Sequence, residues 1–167
     1  SKCYYCSFVS CPDLGVKNDY LKSLKVQICS EYKMEVLNTL YFGGGTPSLL
    51  EIEEIKEILE LFGFENDAEI TFEVNPESVD FEYLSALRAL GVNRLSIGAQ
   101  TFDDEILKLI NRKHTSAQIV KAVQNAQKAG FDNISLDFIY GLPKQGINDS
   151  VSDLKRAVEL NVQHISL

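Results

Sequence analysis

Positive charge is scarce in this 167-residue chain: 16 lysines and arginines stand against 24 aspartates and glutamates, a formal net charge of −8. A phosphate backbone is bound by clustered Lys and Arg, so a nucleic-acid surface is excluded. No apolar run approaches the roughly 18–20 residues that a spanning helix needs, and no signal-peptide pattern is visible. Low-complexity tracts, short-period repeats and interdomain linkers are also missing, which leaves residues 1–167 as one domain or a large piece of one. Cysteine is confined to one end, as Cys3, Cys6, Cys11 and Cys29. Secreted disulfide scaffolds spread their cysteines through a short chain. Crowding at one end of an α/β pattern points instead to metal or redox chemistry in a reducing compartment, and the expected location is cytoplasmic. Only two histidines occur. His114 precedes a helix cap and His164 opens a strand, so each is read as structural.

What the chain does hold is strand–helix alternation. Leu37–Phe42 is a short apolar strand closed by glycines. Glu51–Phe62 follows as a helix with Ile52, Ile55, Ile58, Leu59 and Phe62 on one face. Glu69–Val74 alternates as a strand and stops at Asn75-Pro76, and Phe81–Leu90 is a helix ended by Gly91. Arg94–Ile97 reads as a strand, with a short helix near Asp103–Ile110. Ala117–Ala129 is a helix opened by the capping box Thr115-x-x-Gln118. Asn133–Phe138, Asn148–Leu160 and Gln163–Leu167 complete the pattern as strand, helix and strand. The expected fold class is α/β with a parallel sheet and right-handed crossovers, which suits both a doubly wound sheet and a (β/α) barrel. In either, ligands bind at the carboxyl ends of the strands. Both chain ends are expected to be cut within a larger unit.

Those strand ends carry unusual residues. The first runs into Gly43, Gly44, Gly45 and Thr46, where glycine permits close backbone approach to a ligand. This is not G-x-G-x-x-G, so a Rossmann site is discounted. The second ends in Glu73, the third in Gln100 with Arg112 beyond it, and the fourth carries Asp137 between apolar residues. A carboxylate there is costly to bury without a partner. Glu73, Gln100, Arg112 and Asp137 form a mixed-charge ring suited to a zwitterion with a carboxylate, an ammonium and ribose hydroxyls. Cys3-x-x-Cys6 is open to three readings: a zinc site completed by Cys11 and Cys29, a thioredoxin-like pair, or part of an iron–sulfur site.

In combination these features resemble the radical S-adenosylmethionine superfamily, whose signature is C-x-x-x-C-x-x-C. Cys3 and Cys6 are similar to its second and third cysteines, and the first would fall four positions before Cys3. Within the superfamily the chain resembles the group of oxygen-independent coproporphyrinogen III dehydrogenases and HemW-type heme chaperones. The motifs that carry this are Cys3-Tyr-Tyr-Cys6-Ser-Phe8, Phe42-Gly-Gly-Gly-Thr-Pro-Ser48, Glu73-Val-Asn-Pro-Glu77, Ser96-Ile-Gly-Ala-Gln-Thr-Phe102, Arg112-Lys-His-Thr115 and Asp137-Phe-Ile-Tyr-Gly-Leu-Pro143.

The resemblance implies a partial (β/α)6 radical SAM barrel, lacking its first strand and C-terminal region. It also implies a [4Fe–4S] cluster held by Cys3, Cys6 and a third cysteine outside the chain. S-adenosylmethionine would be lined by Tyr5, Gly44, Gly45, Thr46, Glu73, Gln100, Arg112 and Asp137, with Arg112 on its carboxylate. In the family an electron from the cluster cleaves the sulfonium to a 5′-deoxyadenosyl radical. The dehydrogenases carry a further cysteine two positions after the third cluster cysteine. Phe8 stands there instead, as in HemW-type chaperones. The expectation is a heme chaperone, with heme as cargo and with an acceptor protein and an electron donor as partners. Coproporphyrinogen III oxidative decarboxylation and reductive heme opening are the alternatives. Lys144 departs from the small residue expected after Gly-Leu-Pro.

Overall fold

A computed structural model describes residues 2–8 and 13–167. Its frame is one five-stranded, wholly parallel sheet: β1 (Val36–Phe42), β2 (Gly63–Val74), β3 (Arg94–Gln100), β4 (Ile134–Phe138) and β5 (His164–Ser166). The helices are α1 (Lys17–Glu31), α2 (Ile52–Leu59), α3 (Phe81–Ala89), α4 (Asp104–Leu109), α5 (Ser116–Lys128) and α6 (Ile147–Glu159). Strand order follows chain order from β1 to β5 without reversal. A doubly wound sheet reverses its order partway, so this topology belongs to the barrel alternative. Among the described residues, no helix is long and apolar enough to cross a membrane.

The period-2 alternation of strands gives the sheet two unlike faces. Ile70, Phe72, Val74, Leu95, Ile97, Ala99, Ile134, Leu136 and Phe138 join the buried core with helix residues such as Ile55, Leu84, Leu87, Ile119 and Val123. Phe72, Leu95, Ile97 and Leu136 are fully buried, and such burial stabilises by about 1.5–3 kcal/mol per side chain. The alternate positions carry Glu69, Thr71, Glu73, Arg94, Ser96, Gly98, Ser135 and Asp137. Parallel sheets are ordinarily apolar on both faces, so this polar face is the side on which a ligand site is to be sought. That face is internally bonded low in the sheet: Arg94 donates to Thr71 at 3.3 Å and lies 3.8 Å from Glu69.

Three elements differ from the sequence expectation. The α1 helix was not foreseen, because only Leu21 of it is buried and its apolar residues follow no helical stripe. The second strand starts at Gly63 rather than Glu69, and its exposed first half pairs with β1 through a register shift between Leu37 and Thr39. The second helix ends at Leu59, short of Phe62. The capping box of α5 is present as expected, with Thr115 and Gln118 exchanging bonds.

Candidate functional site at the carboxyl ends of the strands

The glycine run leaves β1 with Gly44 at φ +113, a conformation open to glycine and strained for other residues. Space beside Gly44 and Gly45 is empty, whereas a Cβ on Gly43 would lie 2.7 Å from the Tyr41 ring. The loop is held by the next strand. Gly44 N–H donates to Glu73 Oε2 at 3.2 Å, and Tyr41 Oη donates to Glu73 Oε1 at 2.8 Å. Burial, and then the Glu73 carboxylate, raise the Tyr41 pKa, which keeps the phenol a donor. Thr46 Oγ1 donates to the Gly45 carbonyl at 2.6 Å, and the Thr46 carbonyl accepts from Leu49 N–H at 3.1 Å.

On the same face, Asp137 is partnered on both oxygens, which resolves the cost of its apolar flanks. Ser96 donates to Oδ2 from the adjacent strand, and Ser135 donates to Oδ1 at 3.0 Å. Ser135 also meets His164 Nδ1 at 2.8 Å. Since the single Ser135 proton points to Asp137, the histidine donates to Ser135. His164 therefore has a structural bond, as expected.

Arg112 follows α4 and returns to the mouth. Its Nη2 donates to the Gly98 carbonyl at 2.7 Å and to Asn75 Oδ1 at 2.9 Å. Its Nε is buried and has no hydrogen-bond partner among the described residues. Gly98 is packed from above: a Cβ there would lie 2.9 Å from Gln100 Nε2 and 3.0 Å from Arg112 Nη2. Gln100 takes a left-handed backbone, φ +67, at the register shift between β3 and β4. Such a conformation in a non-glycine residue persists where its surroundings over-determine it.

The cysteine loop is pinned beside Arg112. Tyr4 N–H donates to Ile110 O at 3.1 Å, and Asn111 Nδ2 donates to Lys2 O at 2.8 Å. Arg112 Nη1 lies 3.7 Å from Cys3 Sγ, and Cys6 N–H closes a turn onto Cys3 O at 3.2 Å. Tyr5 has its pKa pushed up to about 12, chiefly by burial, with the Arg112 charge opposing. Among the described residues no group of three or more His, Cys, Asp or Glu side chains converges as a metal site. Cys3 and Cys6 form a half-buried pair and Cys29 is exposed on α1. Cys11 lies outside the described residues.

The structure thus brings Cys3, Cys6, Tyr5, Gln100 and Arg112 together, links Gly44 to Glu73, and links Asp137 to Ser96 and Ser135. Thr46 and Gly45 belong to the loop without bonding the rest. Sequence reading missed Tyr41, Asn75, Ser96 and Ser135 as partners. Strand alternation pointed to Ser135, two residues before Asp137 and on its face. Nothing local marks Asn75 as a partner of Arg112, although it ends the second strand and falls within the Glu73–Glu77 motif.

A sequentially ordered parallel sheet with polar residues at its carboxyl ends, beside a cysteine pair and a half-buried arginine, forms a candidate cofactor site on an α/β fold. The profile of the Radical SAM superfamily matches residues 1–157, and the chain belongs to that superfamily. Within it the chain is similar to heme chaperones and to coproporphyrinogen oxidases. It is 38% identical over 170 residues to the heme chaperone HemW of Lactococcus lactis subsp. lactis, covering 99% of this chain and 45% of that protein. It is 34% identical to the oxygen-independent coproporphyrinogen III oxidase of Escherichia coli, covering 99% of this chain and 38% of that one. The solved structure of coproporphyrinogen III oxidase (HemN) from Escherichia coli superposes with a TM-score of 0.89 at 33% identity, over 99% of this chain and 41% of that one. The chain therefore spans less than half the length of these relatives.

Proposed function

We propose that the protein is a heme chaperone that binds heme and passes it to an acceptor protein, on a radical SAM core that residues 1–167 form in part. The observation that carries the choice is Phe8. It stands where coproporphyrinogen III dehydrogenases carry a further cysteine, and its exposed ring adds no thiolate beside Cys3 and Cys6. The high structural likeness to the Escherichia coli oxidase supports a second reading, oxidative decarboxylation of coproporphyrinogen III.

Both readings use the same mouth, and its residues fit the cofactors that the family implies. Cys3 and Cys6 would supply two thiolates to a [4Fe–4S] cluster, with a third cysteine expected before them. Arg112 Nε is a buried donor with no partner among the described residues, which suits the carboxylate of S-adenosylmethionine. Glu73, already oriented by Tyr41 and Gly44, would accept from the ammonium. Asp137, fixed by two serines, would accept from ribose hydroxyls. Gln100 and Tyr5 flank the arginine, while Gly44, Gly45 and Thr46 bring open backbone to the ligand. When bound, the cluster and S-adenosylmethionine supply one-electron chemistry at the sulfonium. The electron donor and the heme acceptor are further partners in this reading.

The test uses the full-length protein reconstituted anaerobically with iron and sulfide. Heme or coproporphyrinogen III is added with S-adenosylmethionine and a reductant, and porphyrin spectra and 5′-deoxyadenosine are followed. Stable heme binding without porphyrinogen turnover is the expected result. Protoporphyrinogen formation with matching deoxyadenosine overturns it in favour of the oxidase, and loss of the Soret band with iron release points to heme opening.

A further inference from the structure

His114 sits two residues beyond Arg112 with a side chain wholly shielded from solvent. Both of its ring nitrogens meet acceptors: Nδ1 lies 3.1 Å from Glu77 Oε2, and Nε2 lies 3.1 Å from the Ala99 carbonyl. The imidazole thus bridges a carboxylate and a backbone carbonyl. The two partners come from different strand ends. Glu77 lies in the short 3-10 turn Pro76–Ser78 that follows β2, and Ala99 is the residue before Gln100 on β3.

One imidazole thus ties together three segments of the mouth. Through Glu77 it holds the turn that presents Asn75, which accepts from Arg112 at 2.9 Å. Through Ala99 it holds the peptide leading into the left-handed Gln100. The far side of Gln100 is fixed independently. Ile139 N–H donates to the Gln100 carbonyl at 3.0 Å, and the buried Asp153 of α6 accepts from Phe102 N–H at 2.8 Å. Gln100 is therefore clamped on both flanks, and His114 is the clamp that also reaches Arg112.

We propose that His114 and Glu77 are positioning residues that set Gln100 and Arg112 for S-adenosylmethionine, rather than a pair that only stabilises the fold. This rests on the reading of the mouth as the S-adenosylmethionine site. A ligand held by a fork and an amide is sensitive to small displacements, because each bond is lost steeply with distance and angle.

The test is calorimetric titration of S-adenosylmethionine into the reconstituted full-length protein, with the electron paramagnetic resonance signal of the reduced cluster as a second readout. Three variants are compared with the wild type: H114A, H114Q and E77Q. L87A serves as a control, since Leu87 is a fully buried core residue of α3. H114A is expected to weaken S-adenosylmethionine binding roughly tenfold or more, by analogy with the loss seen when outer-shell partners of metal ligands are removed. H114Q keeps an N–H that can reach the Ala99 carbonyl and is expected to recover part of that loss. E77Q is expected to weaken binding by a smaller factor, and L87A to lower the melting temperature without changing affinity. Wild-type affinity in H114Q and E77Q overturns the proposal, as does an H114A that loses stability like L87A yet binds normally. A wild type that takes no S-adenosylmethionine overturns the reading of the site, and the positioning role with it.

Discussion

At the residue scale the mouth is built from side chains that fix one another before any ligand arrives. Gly98 is the clearest case, because the atoms above it are the Gln100 amide and the Arg112 fork. Both are the far ends of flexible side chains, so they can give way without breaking the fold. Gly98→Ala is expected to leave the unfolding midpoint nearly unchanged while weakening S-adenosylmethionine binding by roughly ten- to a hundredfold. Calorimetry beside a thermal melt separates the two effects. The same scale shows where sequence reading stops. Glu73, Gln100, Arg112 and Asp137 were recognisable because each is polar at a strand end or close beyond one. Their partners Tyr41 and Asn75 were not, because those bonds run between segments more than thirty residues apart, Tyr41 to Glu73 and Asn75 to Arg112.

At the scale of elements, most helices and strands were legible where burial imposes a period. Helix α5 shows why: Ile119, Val123 and Ala126 recur on one face, and Thr115 and Gln118 close its first turn. Removing that cap in Thr115→Ala is expected to cost about 1 kcal/mol, which corresponds to a melting temperature lower by about 2–4 °C in a chain of this size. Differential scanning calorimetry checks it. Helix α1 escaped notice for the opposite reason. Its contacts are ion pairs such as Lys17–Glu54 at 3.0 Å, rather than an apolar stripe. The exposed first half of β2 was likewise hidden, since Gly63–Asp67 is polar and becomes a strand only by pairing with β1.

At the scale of the whole molecule, the half-buried His114–Glu77 contact links stability to acidity. Burial acts to raise the Glu77 pKa, but the hydrogen bond and charge of His114, with Arg112 behind it, outweigh burial and hold the carboxyl below its ordinary value. A group whose folded pKa is depressed adds stability above its unfolded pKa and loses it as pH falls through the folded value. Urea unfolding at stepped acidic pH is expected to show this decline in the wild type and a shallower one in Glu77→Gln. Asp153 works in the other direction. Its pKa is raised, chiefly by burial, so its ionised form opposes folding and protonation relieves it as pH falls. The variant's residual slope therefore includes that opposing contribution.

The sheet's strict chain order has a further consequence, in time rather than in space. Each new strand from β2 to β5 pairs with the strand made just before it. Chains grow from the amino end at about 5–20 residues per second, and their earlier parts fold first. A strand emerging during synthesis therefore finds its template already present and need not wait for a distant segment. The sheet can be laid down in the direction of translation, with one growing edge exposed at any moment.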